Sequence, residues 1–158
     1  MKIISFFLKT NFLFFIFLST CLSANEIDNF INNYFDAFNN SDSIEFHDKF
    51  HNPFIRIING EKKLISDKKW FDFKALKSTD WSYSSILDYE KFLETDNEAV
   101  LKINYGRHNS EGLIYNSGDA YMVLTKINNK WGISTYIAPS IPTCLLYTSD
   151  AADDMQCV

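Results

Sequence analysis

The side chains best suited to chemistry in this chain are phenols and guanidiniums set inside apolar runs. Tyr34 shares an apolar stripe with Ile27, Phe30, Ile31, Phe35 and Phe38. A phenol projecting from that helix into a cavity would polarise a carbonyl oxygen. The same position also suits a tyrosine that only fills or lines the core. Arg56 interrupts the strand-like run FIRII. If Phe54, Arg56 and Ile58 face inward, its guanidinium anchors a carboxylate or phosphate ligand. If Ile55 and Ile57 face inward, Arg56 is solvated, and a period of two permits both. Tyr105-Gly106-Arg107-His108 poses the same question. Tyr105 and Arg107 share the face of Leu101 and Ile103, whereas His108 points the other way. Tyr121 and Tyr136 are further ring donors, fit either to line a pocket or to pack between subunits. Tyr34, Arg56, Tyr105, Arg107 and Tyr121 are the candidate ligand-binding residues, and no catalytic residue is assigned.

His47 and His51 stand four apart, a spacing at which two helical imidazoles can share a metal ion. No Glu follows His47 and no third ligand is evident from spacing. The pair therefore reads as two partly exposed histidines at a helix end, and no metal or cofactor is expected. A G-x-S-x-G elbow is absent, as is any glycine-rich phosphate loop.

The elements that must position these side chains are legible from period and punctuation. The stripe from Ile27 to Phe38 predicts a first helix, with Glu26 and Asp28 in its opening turn. Asn39-Asn40-Ser41 ends it. Asp42, with Glu45 three residues later, resembles a capping box and predicts a short second helix to about Phe50. Phe54 to Ile58 reads as a strand closed by the hairpin signal Asn59-Gly60. Ser66-Asp67 opens a third helix bearing Trp70, Phe73 and Leu76. Strands follow over about 82–93, 98–108, 113–127 and 131–138, and Ser117-Gly118 reads as a bulge or bend in the third of them. The fold class is thus α+β: a cone-shaped, strongly bent antiparallel sheet packed on a long N-terminal helix, with two shorter helices.

The termini read differently from this core. Lys2 and Lys9, the run Phe12 to Leu18, and small residues up to Ala24 read as an export signal, residues 1–24. The run is too short to span a membrane. Lipidation at Cys21, after Leu18-Ser19-Thr20, is the rival reading. Cys144 to Asp153 (CLLYTSDAAD) resembles the translation of a transposase-type sequencing adapter, so residues 144–158 read as an artefactual or disordered tail. The domain then spans 25–143. It carries 13 basic and 17 acidic residues against a whole-chain net charge of −5. With no basic run, nucleic acid is not an expected partner. All three cysteines, Cys21, Cys144 and Cys157, fall outside the domain. An exported domain without cysteine must be held by packing alone.

Two segments carry a resemblance: NYFDAFNNSD (Asn33 to Asp42) and SGDAYMVLTKINNKWGI (Ser117 to Ile133). The core resembles the nuclear-transport-factor-2-like superfamily, which includes SnoaL-like polyketide cyclases and ketosteroid isomerases. The resemblance implies a pocket inside the cone and a sheet-to-sheet homodimer. It places Tyr34 where the isomerases keep the tyrosine that donates to the oxyanion. It also puts their general-base aspartate near Ile58, which cannot take a proton, and their acid partner near Asp119 to Val123. The expected function is an exported domain, periplasmic or secreted, that binds a small, largely apolar ligand. An isomerase, dehydratase or cyclase-like enzyme using Tyr34 is one alternative, and a dimeric protein-interaction module is the other.

Overall fold

The computed structural model describes residues 26–67 and 69–138. The expected export signal and the tail from Cys144 lie outside these residues. The chain divides after Tyr34 into two compact units. In the first unit the described residues are helical, within a helix α1 over 26–39. Ile27, Phe30, Ile31 and Tyr34 are buried, which is the stripe expected from a spacing of three and four.

In the second unit α1 ends in a left-handed Ser41. The Asp42 carboxylate accepts from the Ile44 and Glu45 amides at 3.1 and 2.9 Å and caps α2 (Ser43–Asp48). This satisfies donors that a helix start leaves open. The second helix stops earlier than its sequence suggested. β1 (Phe50–Ile58) begins two residues on, so His51 lies in a strand and the helical histidine pair does not exist. Asn59 and Gly60 both take positive φ, 52° and 77°, and turn β1 into β2 (Glu61–Ile65). The third helix also starts later than expected. Asp72, not Asp67, caps α3 (Phe73–Lys77), accepting from Lys74 N at 2.8 Å and Ala75 N at 3.3 Å. Asp67 instead accepts from Lys69 N at 2.8 Å, and Trp70 precedes the helix. Both aspartates offer the same acceptor, and the first buried apolar residue, Phe73, decides where the helix forms.

β3 (Tyr83–Glu94), β4 (Glu98–His108), β5 (Ile114–Ile127) and β6 (Lys130–Ala138) form the expected antiparallel meander. The sheet order is β2-β1-β6-β5-β4-β3. β1 pairs parallel with β6, so the sheet is mixed rather than wholly antiparallel. Alternation reveals which residues face together but carries no information on strand direction. The bulge expected at Ser117-Gly118 is absent. Pairing runs through Tyr105↔Gly118 and Gly106↔Ser117, and the irregularity falls next to it, at Tyr115, between Arg107↔Asn116 and His108↔Ile114.

The core of the second unit has two parts. Ala99, Leu101, Ile103, Ala120, Met122, Leu124 and Ile133 form a fully buried aliphatic sheet face. A cluster of rings joins the helices and β1: Phe38, Phe46, Phe50, Phe54, Trp70, Phe71 and Phe73, with centroids of touching pairs 4.7 to 5.8 Å apart. Such pairs contribute about 0.5–1.5 kcal/mol each beyond the area they bury. Asn39 ties the end of α1 to β3, donating to Ser84 O at 2.9 Å and accepting from Ser84 N at 2.8 Å. No helix among the described residues is long and apolar enough to cross a membrane.

Candidate ligand-binding site

Register decides the question that alternation left open. Arg56 lies opposite Tyr136, which lies opposite Met122, which lies opposite Leu101. Partners across a ladder share a face. Arg56 therefore stands on the sheet face that carries the buried Leu101 and Met122, together with Phe54 of its own strand. Tyr105 and Arg107 stand on that face too, opposite Gly118 and Asn116 of β5. Gly118 supplies no side chain there, so the space beside the Tyr105 ring is not filled from β5. Four polar side chains from three strands, Arg56, Tyr105, Arg107 and Tyr136, thus share one side of the sheet.

Arg56 and Tyr136 are direct partners across the β1–β6 pairing. Tyr136 is part-exposed as a residue, yet its phenol lies in dense packing, and this burial pushes its ionisation well above the usual value of 10.0. Tyr105 pushes the same way, while the charges of Arg107 and Arg56 oppose the shift. The phenol stays protonated and remains a hydrogen-bond donor. Each guanidinium lies over a ring, Arg56 5.6 Å from the Trp70 centroid and Arg107 5.7 Å from that of Tyr105. Neither arginine has a carboxylate or hydrogen-bond partner among the described residues. Two neighbouring buried polar atoms also lack partners, the Trp70 Nε1 and the Asn116 Oδ1.

The remaining expected site residues lie elsewhere. Tyr121 stands opposite Lys102 and Ile137, on the other face of the sheet. Tyr34 is 7% exposed on α1, in the first unit. Ile58 shares the face of Arg56, so an apolar side chain stands where the resemblance put the isomerase base. Asp119 is on the far face. Asn104 donates to it at 2.8 Å and Lys102 approaches to 3.3 Å. The Asn104 hydrogen bond, helped by Lys102, holds its carboxyl below the usual range. Trp70, Asn116 and Tyr136 were not among the expected site residues. The parallel β1–β6 pairing that brings Tyr136 beside Arg56 leaves no mark in local sequence.

A cavity of about 460 Å³ opens between α2, β1, the segment after β2 and the β5–β6 turn, with Phe50, Phe54, Ile65, Trp70 and Trp131 in its walls. Lys130 and Asp48 form an ion pair among its lining residues. Both histidines there are committed to backbone. The His47 Nε2 accepts from Phe71 N at 3.3 Å, which leaves its Nδ1 to donate to Ser43 O. His51 donates through Nε2 to Thr125 O at 3.0 Å, its ring lying flat over Gly132. Among the described residues no group of three or more His, Cys, Asp or Glu is placed to hold a metal ion.

No protein-family model and no curated protein matches the sequence. Solved structures do match the fold. A protein of unknown function with a cystatin-like fold from Nostoc punctiforme is 16% identical, with a TM-score of 0.62 over 77% of this chain and 93% of that one. An NTF-2-like protein of unknown function from Shewanella oneidensis is 14% identical, with a TM-score of 0.59 over 74% and 98%. A ketosteroid-isomerase-like protein from Shewanella frigidimarina is 10% identical, with a TM-score of 0.54 over 70% and 91%. At these identities the likeness concerns the fold alone: an α+β fold of the nuclear-transport-factor-2-like kind.

Proposed function

We propose that the chain is an exported domain that binds a small, largely apolar ligand against the inner sheet face without turning it over. The observation that carries this reading is that Arg56, Tyr105, Arg107 and Tyr136 stand on one sheet face otherwise built of aliphatic side chains. Binding sites are typically apolar surfaces with a few polar groups aimed inward. Proton-transfer catalysis needs a titratable group at the same place. Ile58 supplies none, and Asp119 lies behind the sheet. The chain purified from its native host, analysed by mass spectrometry under non-denaturing conditions, is expected to carry a small molecule that denaturation releases. Repeated preparations that carry none, and that bind nothing from a host metabolite extract, would sink the proposal. Export predicts that the mature protein begins at Asn25 and is recovered outside the cytoplasm.

The outer sheet face supports a second reading, a homodimer. Leu87 and Ile114 close over Gly106 there, Leu93 lies opposite Val100, and Tyr83 stacks on His108 with centroids 4.2 Å apart. Leu87, Leu93 and Ile114 are each close to half exposed. Contiguous exposed apolar side chains mark association surfaces.

A further inference from the structure

We propose that the cavity between α2, β1 and the β5–β6 turn binds a flat aromatic molecule whose ring N–H or hydroxyl donates to His51. This rests on the ligand-binding reading and gives its ligand a place and a chemical class. At about 460 Å³ the cavity falls within the roughly 300–1,000 Å³ usual for small-molecule sites. Phe50, Phe54 and Trp70 make one continuous wall, with ring centroids 4.7 to 5.2 Å apart. Trp131 lines the cavity from β6. Walls of this kind favour a flat ring as guest, because offset and edge-on ring contacts add to the area buried.

The polar groups of the cavity select a donor on that guest. His51 Nε2 lies 3.0 Å from the Thr125 carbonyl oxygen, which can only accept. The proton of the neutral ring is therefore on Nε2, and Nδ1 is left as an acceptor. Among the described residues nothing donates to it. A Cβ at position 132 would lie 2.9 Å from this nitrogen, so glycine there keeps it uncovered from β6. His47 offers no such acceptor, because its Nε2 accepts from Phe71 N and its Nδ1 donates to Ser43 O. The Trp70 Nε1 is sealed from solvent, so Trp70 presents ring carbons and no donor to the cavity. Asp48 and Lys130 neutralise each other at the exposed rim. A bare acceptor among rings fits an indole or a phenol better than a ketone or a carboxylate.

The test compares indole with benzofuran, a ring of the same shape in which oxygen replaces the N–H. Both are titrated into the full chain at about pH 8, above the ordinary imidazole range, and followed by ligand-observed NMR. Indole is expected to bind about fivefold more tightly, the worth of one net hydrogen bond. His51→Phe keeps a ring over Gly132 without the acceptor and should bring indole down to the affinity of benzofuran. Ile65→Trp fills the cavity from the end of β2 and should weaken both rings at least about tenfold. Thermal melts check that each variant folds, and NOEs between bound indole and the Trp131 ring locate the guest without any variant. Equal binding of indole and benzofuran overturns the inference, as does a preference that survives His51→Phe. Binding untouched by Ile65→Trp, or a bound indole without NOEs to Trp131, overturns it too. Failure of both rings to bind also overturns it. The ligand-binding reading survives that failure if another small molecule co-purifies from the native host, and falls with it if nothing does.

Discussion

Tyr136 reports on the site through its own ionisation. Burial raises its pKa, so the folded protein disfavours the phenolate. The stability this contributes is fully present below the ordinary phenol pKa and is lost as pH rises through the higher folded value. A spectrophotometric titration of phenolate absorbance is expected to include a late-ionising component, and Tyr136→Phe reduces it. An unchanged curve in the variant would contradict the burial. Asp119 works with the opposite sign. Its folded pKa lies below the ordinary 3.8, so its contribution is complete above that value and fades as pH falls through the folded pKa. The stability difference between the wild type and Asp119→Asn should therefore be constant near neutrality and shrink in acid. It should stay small throughout, because the carboxylate is partly solvated.

Glycine and asparagine do unusual work at the scale of elements. Asn128 and Asn129 turn β5 into β6 with positive φ, and Lys130-Trp131-Gly132 opens β6. A Cβ on Gly132 would lie 2.6 Å from Cε1 of His51, whose ring crosses this position to reach Thr125 O. Gly132→Ala is expected to displace the ring and cost about 1–3 kcal/mol in denaturant unfolding. An unchanged midpoint would mean that the ring moves freely. Asn39 presents the other case. Its amide makes two hydrogen bonds to the Ser84 backbone, and Asn39→Ala strips both. Leaving that backbone unsatisfied is expected to cost about 1–3 kcal/mol. The sequence marks Asn39 only as a helix terminator. The long-range partner, 45 residues away, is a tertiary fact.

Association is the open property of the whole molecule, and the outer sheet face makes it testable. Light scattering of the full chain is expected to give the mass of a dimer, and Leu87→Glu should shift it to a monomer. A wild-type monomer would assign the exposed Leu87, Leu93 and Ile114 to some other partner or to none. A ligand site on the inner face and an association surface on the outer face are compatible, because a strand sends alternate side chains to opposite sides.

Local signals written in the sequence were enough for the element order, the meander strands, the Asn59-Gly60 hairpin and the Asp42 cap. Apolar period, turn residues and side-chain acceptors act within a few residues of themselves, so the chain alone determines them. Helix limits around His51 and Trp70 were less legible, because competing caps are settled by which ring is buried. Arg56 shows most clearly what only the tertiary structure decided. Alternation allowed either face, and the parallel pairing of β1 with β6 chose the one that holds Tyr136, Tyr105 and Arg107. That pairing joins residues about eighty positions apart, and no local period encodes it.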